Sequence, residues 1–173
     1  MIEIQIRLIE KKDYLQLYAV IERNRQRLLT YFPKTSNAIK DIESAKTFTQ
    51  LKLRQALNRE QFYFVVMLKA TSLIIGGVIL KNIEWSVPKG ELAYFIDEIY
   101  EGKGYTTFAV KVMTEYAFNE LNMEKLYIKF NPTNWGSKKV AIKNGFEKEG
   151  YMKREYRTGQ GELTDVERYG RLK

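Results

Sequence analysis

The chain has 173 residues, of which 45% are hydrophobic and 29% are charged, and these values are typical of one globular domain spanning residues 1–173. The absence of cysteine and histidine excludes disulfides, thiolate nucleophiles and the usual zinc ligands, so no metal site is expected. The 29 basic and 21 acidic residues give a net charge of +8, which favours anionic partners such as nucleotides, nucleic acid, anionic lipid or a phosphorylated cofactor.

The N-terminal stretch "IEIQIRLI" (Ile2 to Ile9) alternates apolar and polar residues and predicts a half-buried strand. A signal peptide would be continuously apolar at this place. Apolar runs elsewhere in the chain fall short of the ~18 residues that a membrane span requires. We therefore expect a cytoplasmic protein with no membrane partner.

Two helices are predicted next. The first covers residues 11–32, with Asp13 as its N-cap and Pro33 as its end, and the second falls within residues 36–60. Residues 61–69, 73–85 and 91–99 are rich in β-branched and aromatic residues, which predicts three strands in an antiparallel meander.

The remaining elements mix both types of structure. A helix is predicted from about Thr106 to Leu121, followed by a strand from Glu124 to Asn131 and a short helix that ends at Gly145. Residues 146–156 and 162–172 are predicted to form a closing strand pair. This order of elements indicates an α+β fold with a mixed sheet and helices on its faces.

The segment "YEGKGYTT" places Gly102 and Gly104 directly before the predicted helix. Free N–H groups at a helix start bind anions, and glycine lets a phosphate approach the main chain closely. A P-loop or a dinucleotide fingerprint does not fit, since the latter needs glycine where Thr107 stands. An ordinary strand-to-helix turn with Lys103 in solvent is the alternative interpretation.

Other segments of the chain favour the phosphate-binding loop over an ordinary turn, because together they resemble a known family. With "ELAYFI", "YEGKGYTT", the residues Asn131, Asn134 and Ser137, and "KNGFEKEG", the chain resembles the GNAT superfamily of acyl-CoA-dependent N-acyltransferases, in the branch of the RimJ/RimL-type ribosomal-protein acetyltransferases. "ERNRQRLLTYFP" is similar to the first helix of that branch. The resemblance implies a GNAT fold, a mostly antiparallel, splayed sheet of about seven strands flanked by about four helices.

The resemblance also implies acetyl-CoA as cofactor. The strands at Leu92 to Asp97 and Glu124 to Asn131 are expected to splay so that pantetheine pairs with free main-chain groups, and the amides of Gly102 to Thr106 are expected to hold the diphosphate. Asn134 is expected to contact the pantetheine arm or to fix its loop, and Lys139 or Lys143 to lie near the adenine. The residues expected at the cofactor are Phe95, Ile96, Asp97, Gly102, Lys103, Gly104, Tyr105, Thr106, Asn131, Asn134, Ser137 and Lys139.

Three positions depart from the family pattern. Ile99 replaces a glutamine or arginine of the loop, Phe108 replaces a helix glutamate, and Ala141 replaces the tyrosine that many branches use. None of these changes removes a main-chain amide, so the chain is interpreted as a divergent member.

Acyl transfer to an amine needs a base for the amine and a proton for the departing thiolate. The resemblance implies that Ser137 protonates or hydrogen-bonds the thiolate, although a serine in a first helical turn is often only a cap. Glu91 and Glu84 are the candidate bases, because in this family a carboxylate at the mouth of the splayed strands usually acts as the base, directly or through water. Both are equally compatible with solvated strand ends.

The acceptor stays open among a protein N-terminus, a polyamine, an antibiotic amine and an amino acid. Tyr31, Phe32, Trp85 and Trp135 are expected near the acceptor side, while Tyr63 is expected in the core. Two alternatives to an enzyme are a catalytically silent sensor of acyl-CoA and a basic module that binds a ribosome or nucleic acid. If the protein is an enzyme, we expect it to meet nucleic acid only through a ribosome. A homodimer is also left open.

Overall fold

The computed structural model describes residues 3–173 and contains one seven-stranded sheet with helices on both faces. The strands are β1 (Ile4–Leu8), β2 (Phe62–Leu68), β3 (Ile74–Glu84), β4 (Lys89–Ile96), β5 (Lys125–Phe130), β6 (Glu147–Arg157) and β7 (Leu163–Leu172). The helices are α1 (Tyr14–Arg23), α2 (Arg25–Tyr31), α3 (Pro33–Ala38), α4 (Ile42–Leu57), α5 (Tyr105–Asn119) and α6 (Trp135–Lys143). Ile2, which we expected to begin β1, lies outside the described residues.

The strand order is β1-β2-β3-β4-β5-β7-β6, and every neighbouring pair is antiparallel except β4 and β5. This confirms the mixed α+β fold, the meander and the closing strand pair. The pairing of β6 with β7 shifts register twice, between Lys148 and Gly150 and between Met152 and Tyr156. None of the helices within residues 3–173 is long and apolar enough to cross a membrane.

Alternation along the strands divides the core into two layers. Leu92 and Ile96 of β4 belong to the layer that packs against α5. Phe95, between them, belongs to the opposite layer with residues of α1, α2 and α4, and Tyr63 is fully buried there, as predicted. Each face of β4 is therefore tied to a different set of helices.

The first predicted helix, residues 11–32, is divided into α1 and α2, and a further short helix, α3, follows it. Asn24, with φ of −111° and ψ of 11°, separates α1 from α2, and its side-chain amide donates to the carbonyl of Val20. Pro33 begins α3, because proline is well suited to a first helical turn, as well as ending α2. The structure consequently has six α-helices where about four were expected.

Asp13 occupies the N-cap position of α1, as predicted, but its side chain does not cap the helix. Its carboxylate is 2% exposed and accepts from the N–H of Glu10 at 2.7 Å and from both terminal nitrogens of Arg7 at 2.7 and 2.8 Å. Asp13 thus joins the end of β1 to the 3-10 turn at Lys11–Asp13 and makes no side-chain cap to α1.

Gly76 allows β3 and β4 to approach closely. A Cβ atom at this position would press on the carbonyl oxygen of Phe95, which is main chain and cannot turn aside. We predict that Gly76→Ala lowers the free energy of unfolding by about 1–3 kcal/mol, as overpacking of a core does. Gly150→Ala in β6, where no atom lies within 4 Å, is the matched control and should change stability by less than about 0.5 kcal/mol. Equal urea midpoints for the two variants would contradict this explanation.

Candidate functional site

The parallel strands β4 and β5 separate partway along their length. They pair from Lys89 with Lys125 to Leu92 with Ile128, after which residues 93–96 pair only with β3 and residues 129–130 only with β7. We call the space between these two segments the β4–β5 gap. The expected splay of the two strands is confirmed.

The hydrogen-bond pattern shows which main-chain groups face the gap. The N–H of Asp97 donates to the carbonyl of Ile75 at 2.7 Å, and in an antiparallel pair every second residue follows this direction. Phe95 and Asp97 therefore turn their main-chain groups toward β3, while Tyr94 and Ile96 turn theirs toward the gap. The main-chain groups of Phe95 and Asp97 are thus engaged with β3, while Tyr94, which the sequence analysis did not select, turns its own toward the gap.

A cluster of free amides lies at the end of β4. Gly102 and Gly104 have φ of 74° and 79°, and α5 begins directly afterwards at Tyr105. Among the described residues, no protein acceptor bonds the N–H groups of residues 102–107, which we call the amide loop. A Cβ atom on either glycine would meet nothing within 4 Å, so the space in front of the loop is open. The dipole of α5 adds positive potential at the same point.

Side chains from the α1–α2 junction fix the approach to the amide loop. Arg23 donates to the 2%-exposed carboxylate of Asp97 through Nε at 3.0 Å and through Nη2 at 2.7 Å. Arg27 bonds the carbonyl of Ile96 and the carboxylate of Glu101. The side-chain oxygen of Asn24 accepts from the N–H of Glu98 at 3.1 Å.

Sequence reasoning missed this role of the two arginines and the asparagine. They stand in "ERNRQRLL", which was used only as a sign of family resemblance. The break in the helix at Asn24 places Arg23 and Arg27 against a loop that lies more than 70 residues later in the chain.

The other side of the gap is formed by the loop after β5 and the first turn of α6. Asn134 caps α6, since its Oδ1 accepts from the N–H of Ser137 at 2.9 Å, and Asn131 accepts from the N–H and the hydroxyl of Thr133. Of the two roles expected for Asn134, the structure shows the fixing of the loop.

Tyr94 connects the two sides of the gap. Its hydroxyl donates to the carbonyl of Ser137 at 3.2 Å, from β4 to α6. Burial raises the pKa of Tyr94, and the contact with Ser137 opposes this rise only in part, so the hydroxyl stays protonated at physiological pH. The structure thus brings Ser137 to β4, although the two lie far apart in sequence.

The two candidate bases occupy different environments. Glu91 is 6% exposed and pairs with Tyr127 of β5 one position before the strands separate. Asn82 donates to its Oε2 at 2.9 Å, and the ammonium groups of Lys81 and Lys129 lie 3.3 and 3.9 Å from its carboxylate.

Glu84 lies at the far end of the β3–β4 hairpin, paired with Lys89 at 2.7 Å. The hydrogen bond from Lys89 lowers the pKa of Glu84, which weakens it as a base. Glu91 is therefore the better placed of the two carboxylates.

The remaining candidates lie at the surface. Lys103 stands over the ring of Tyr100, with Nζ 5.1 Å from its centroid, and the helix residues Lys139 and Lys143 are exposed. Trp135 is 64% exposed and is covered in part by Lys138. Ala141 is fully buried in the α5 layer of the core.

Comparisons with known proteins give one family. Residues 3–147 match the acetyltransferase (GNAT) domain. The uncharacterized N-acetyltransferase p20 of Bacillus licheniformis is 29% identical over 133 residues, which cover 77% of this chain and 74% of p20. The spermidine N(1)-acetyltransferase of Escherichia coli (strain K12) is 34% identical over only 68 residues, 39% of this chain and 37% of the relative.

Among solved structures, the ribosomal-protein-S5-alanine acetyltransferase from Vibrio fischeri superposes with a TM-score of 0.92 at 30% identity, covering 99% of this chain and 94% of that one.

The ion pair between Arg23 and Asp97 yields a stability prediction. Arg23→Gln leaves a buried carboxylate without its guanidinium, and we expect unfolding to become easier by about 1–3 kcal/mol, since Arg23 itself is partly exposed. Arg54→Gln, an exposed change on α4, is the control and should stay within about 0.5 kcal/mol of the parent. Replacing Asp97 by Asn in the Arg23→Gln background should recover part of the loss. Urea unfolding followed by circular dichroism measures all three, and an unaffected Arg23→Gln protein would refute the assigned role.

Proposed function

Because the chain belongs to the GNAT family of acetyltransferases, we propose that its amide loop binds the diphosphate of acetyl-CoA and that the β4–β5 gap receives the pantetheine arm. The unbonded N–H groups of residues 102–107 carry this proposal. A charge-assisted hydrogen bond contributes about 1.5–3 kcal/mol and a helix dipole about 0.3–1 kcal/mol, so several amides together outweigh the dipole.

The main-chain groups that face the gap fit the pantetheine arm. Tyr94 offers both its N–H and its C=O, whereas the carbonyl of Ile96 is already bonded to Arg27. An extended amide-containing chain can pair with such an edge as an added strand does. Ser137 and Asn134 then lie on the opposite side of the same space.

We assign the proton transfers to two residues that flank the gap. Bound acetyl-CoA supplies an acetyl group as a thioester, and a C–N bond to the acceptor amine replaces the C–S bond. Glu91 takes the amine proton, directly or through water, and the hydroxyl of Ser137 donates a proton to the departing sulfur. Glu91 then releases its proton to solvent, and Ser137 regains one from solvent. Positioning of the two reactants contributes up to ~7–11 kcal/mol in addition.

The acceptor is an amine, and a protein amine is supported best. The Vibrio fischeri protein, whose name specifies alanine of a ribosomal protein, matches nearly the full length of this chain at 30% identity. The match to the spermidine acetyltransferase covers only 39% of the chain.

Gly104→Asn tests the cofactor site. Asparagine tolerates the left-handed conformation of this residue, and its side chain would occupy space next to the amide loop, where no atom lies within 4 Å of an added Cβ. At 100 times its dissociation constant, acetyl-CoA stabilises the parent protein by ~2.7 kcal/mol, which raises the melting temperature by roughly 5–10 °C. We expect Gly104→Asn to lose most of this shift.

Gly161→Asn is the matched control for that experiment. Gly161 also has a positive φ, 88°, with no atom within 4 Å of an added Cβ, but it lies in the β6–β7 hairpin. It should keep the full shift with acetyl-CoA. A full shift in Gly104→Asn would show that the diphosphate binds elsewhere.

Ser137→Ala tests the proton donor. We expect kcat to fall by about 10²–10⁴, the usual contribution of a positioned acid, while the thermal shift with acetyl-CoA persists. Ser137→Thr keeps a hydroxyl and should retain much more activity than Ser137→Ala. Steady-state kinetics with release of free thiol as the readout measures both, and an unimpaired Ser137→Ala enzyme would remove Ser137 from the mechanism.

A further inference from the structure

A cavity of about 520 Å³ adjoins Glu91 at the end of the β3–β4 hairpin. Its volume lies within the range of small-ligand pockets. Residues from three parts of the chain line it: Lys34 of α3, Arg59 and Glu60 after α4, and Lys81, Asn82 and Trp85 of the β3 end.

Positive charge dominates this cavity. Lys34, Arg59 and Lys81 face it against the single carboxylate of Glu60. Within residues 3–173, no carboxylate forms an ion pair with Lys34 or Arg59, whereas Lys81 is paired with Glu91. An anionic ligand that enters the cavity would therefore meet two cations, Lys34 and Arg59, that no carboxylate of the described residues neutralises.

Arg59 is held in place without an anion. Its guanidinium lies 4.3 Å from the ring centroid of Trp85, and its carbonyl accepts from the indole N–H of Trp85 at 3.1 Å. A guanidinium fixed in this way is ready to bind a carboxylate through two hydrogen bonds.

Another cation stands behind the cavity wall. Burial, and then the nearby ammonium of Lys81, lower the pKa of Lys52. An anion that enters the cavity is attracted by both lysines and offsets their mutual repulsion, whereas a polycation is repelled by both.

Two residues that line the cavity also contact Glu91, the proposed base. The β3 bulge, where Asn82 has φ of 49°, turns the Asn82 amide onto the carboxylate of Glu91 at 2.9 Å. Lys81, which also lines the cavity, lies 3.3 Å from the same carboxylate. Lys81 and Asn82 therefore belong both to the cavity and to the surroundings of Glu91.

We propose that this cavity selects acceptor peptides whose N-terminal residue is followed by acidic side chains, and that it disfavours polyamines. This inference rests on the proposed acetyl transfer and specifies its acceptor. Carboxylates of the second and third residues of the peptide bind Arg59 and Lys34, while the two or more cations of a polyamine meet like charge.

The test compares three peptides that begin with serine and continue with two glutamates, two glutamines or two lysines, together with spermidine. We expect kcat/KM to be at least about 10-fold higher for the acidic than for the neutral peptide, and lowest for the lysine peptide and spermidine. High salt should reduce these differences in kcat/KM, because screening weakens the interaction between charges. Equal rates, or a preference for spermidine, would overturn the inference and leave the acetyltransferase function intact.

Variants separate the cavity from general charge effects. Lys34→Gln and Arg59→Gln should each reduce kcat/KM for the acidic peptide by about 3–10-fold with little change for the neutral one, as expected for a charge lost near the surface. Lys111→Gln, an exposed change on α5, is the control and should preserve the preference. Unchanged preference in both cavity variants would exclude this site.

Binding can be followed without turnover because Trp85 lines the cavity. Titration with the acidic peptide in the absence of acetyl-CoA should change tryptophan fluorescence, and Lys34→Gln should weaken this binding. If the acidic peptide binds but no acceptor is acetylated, the proposed reaction fails and the cavity assignment stands. If acetyl transfer occurs with no preference among the acceptors, the proposed reaction stands and the cavity assignment fails.

Discussion

The end of pairing between β4 and β5 is the constraint on which the site depends. Four residue pairs hold these parallel strands together, and each strand then continues with a different neighbour. Because parallel strands point the same way, the loops that follow them leave from one edge of the sheet. This brings the amide loop and the capped first turn of α6 together, with the free edge of β4 between them.

Neither loop would be well defined by its own sequence. The amide loop has glycines that allow many conformations, and its position is determined by Arg23, Asn24 and Arg27 at the α1–α2 junction. On the other side, Asn134 and Tyr94 fix the turn that carries Ser137. The space between β4 and β5 is thus bordered by side chains that are bonded before any ligand arrives.

Local patterns in the sequence were sufficient for the elements and for the amide loop. Strand alternation, the two glycines before α5 and the helix stop at Gly145 each depend on neighbouring residues, and the structure has strands and helices where these patterns predicted them. The break at Asn24 was missed because helical periodicity continues through it. The position of Asp13 before α1 was predicted correctly, but its carboxylate is bonded by Arg7 and by the N–H of Glu10, across the turn between β1 and α1.

Long-range contacts account for most of the rest. The direction of the main-chain groups in β4 depends on its pairing with β3. A shift of that pairing by one residue would turn the N–H and C=O of Phe95, instead of those of Tyr94, toward the gap. The cations of the cavity come from α3, the end of α4 and the end of β3, three segments that are widely separated in the chain. The assignment of Glu91, Ser137 and the cofactor residues remains a proposal that rests on this arrangement.

The edge strand β6 has a consequence for behaviour at high concentration. Its two register shifts, a residue at positive φ (Arg154) and the exposed charges of Lys153 and Arg154 interrupt the regular row of N–H and C=O groups on its free side. Such an irregular, charged edge is a poor template for a strand from another molecule, and natural sheets use these same features against aggregation. A contact between copies that extended the sheet at β6 would first have to straighten this strand.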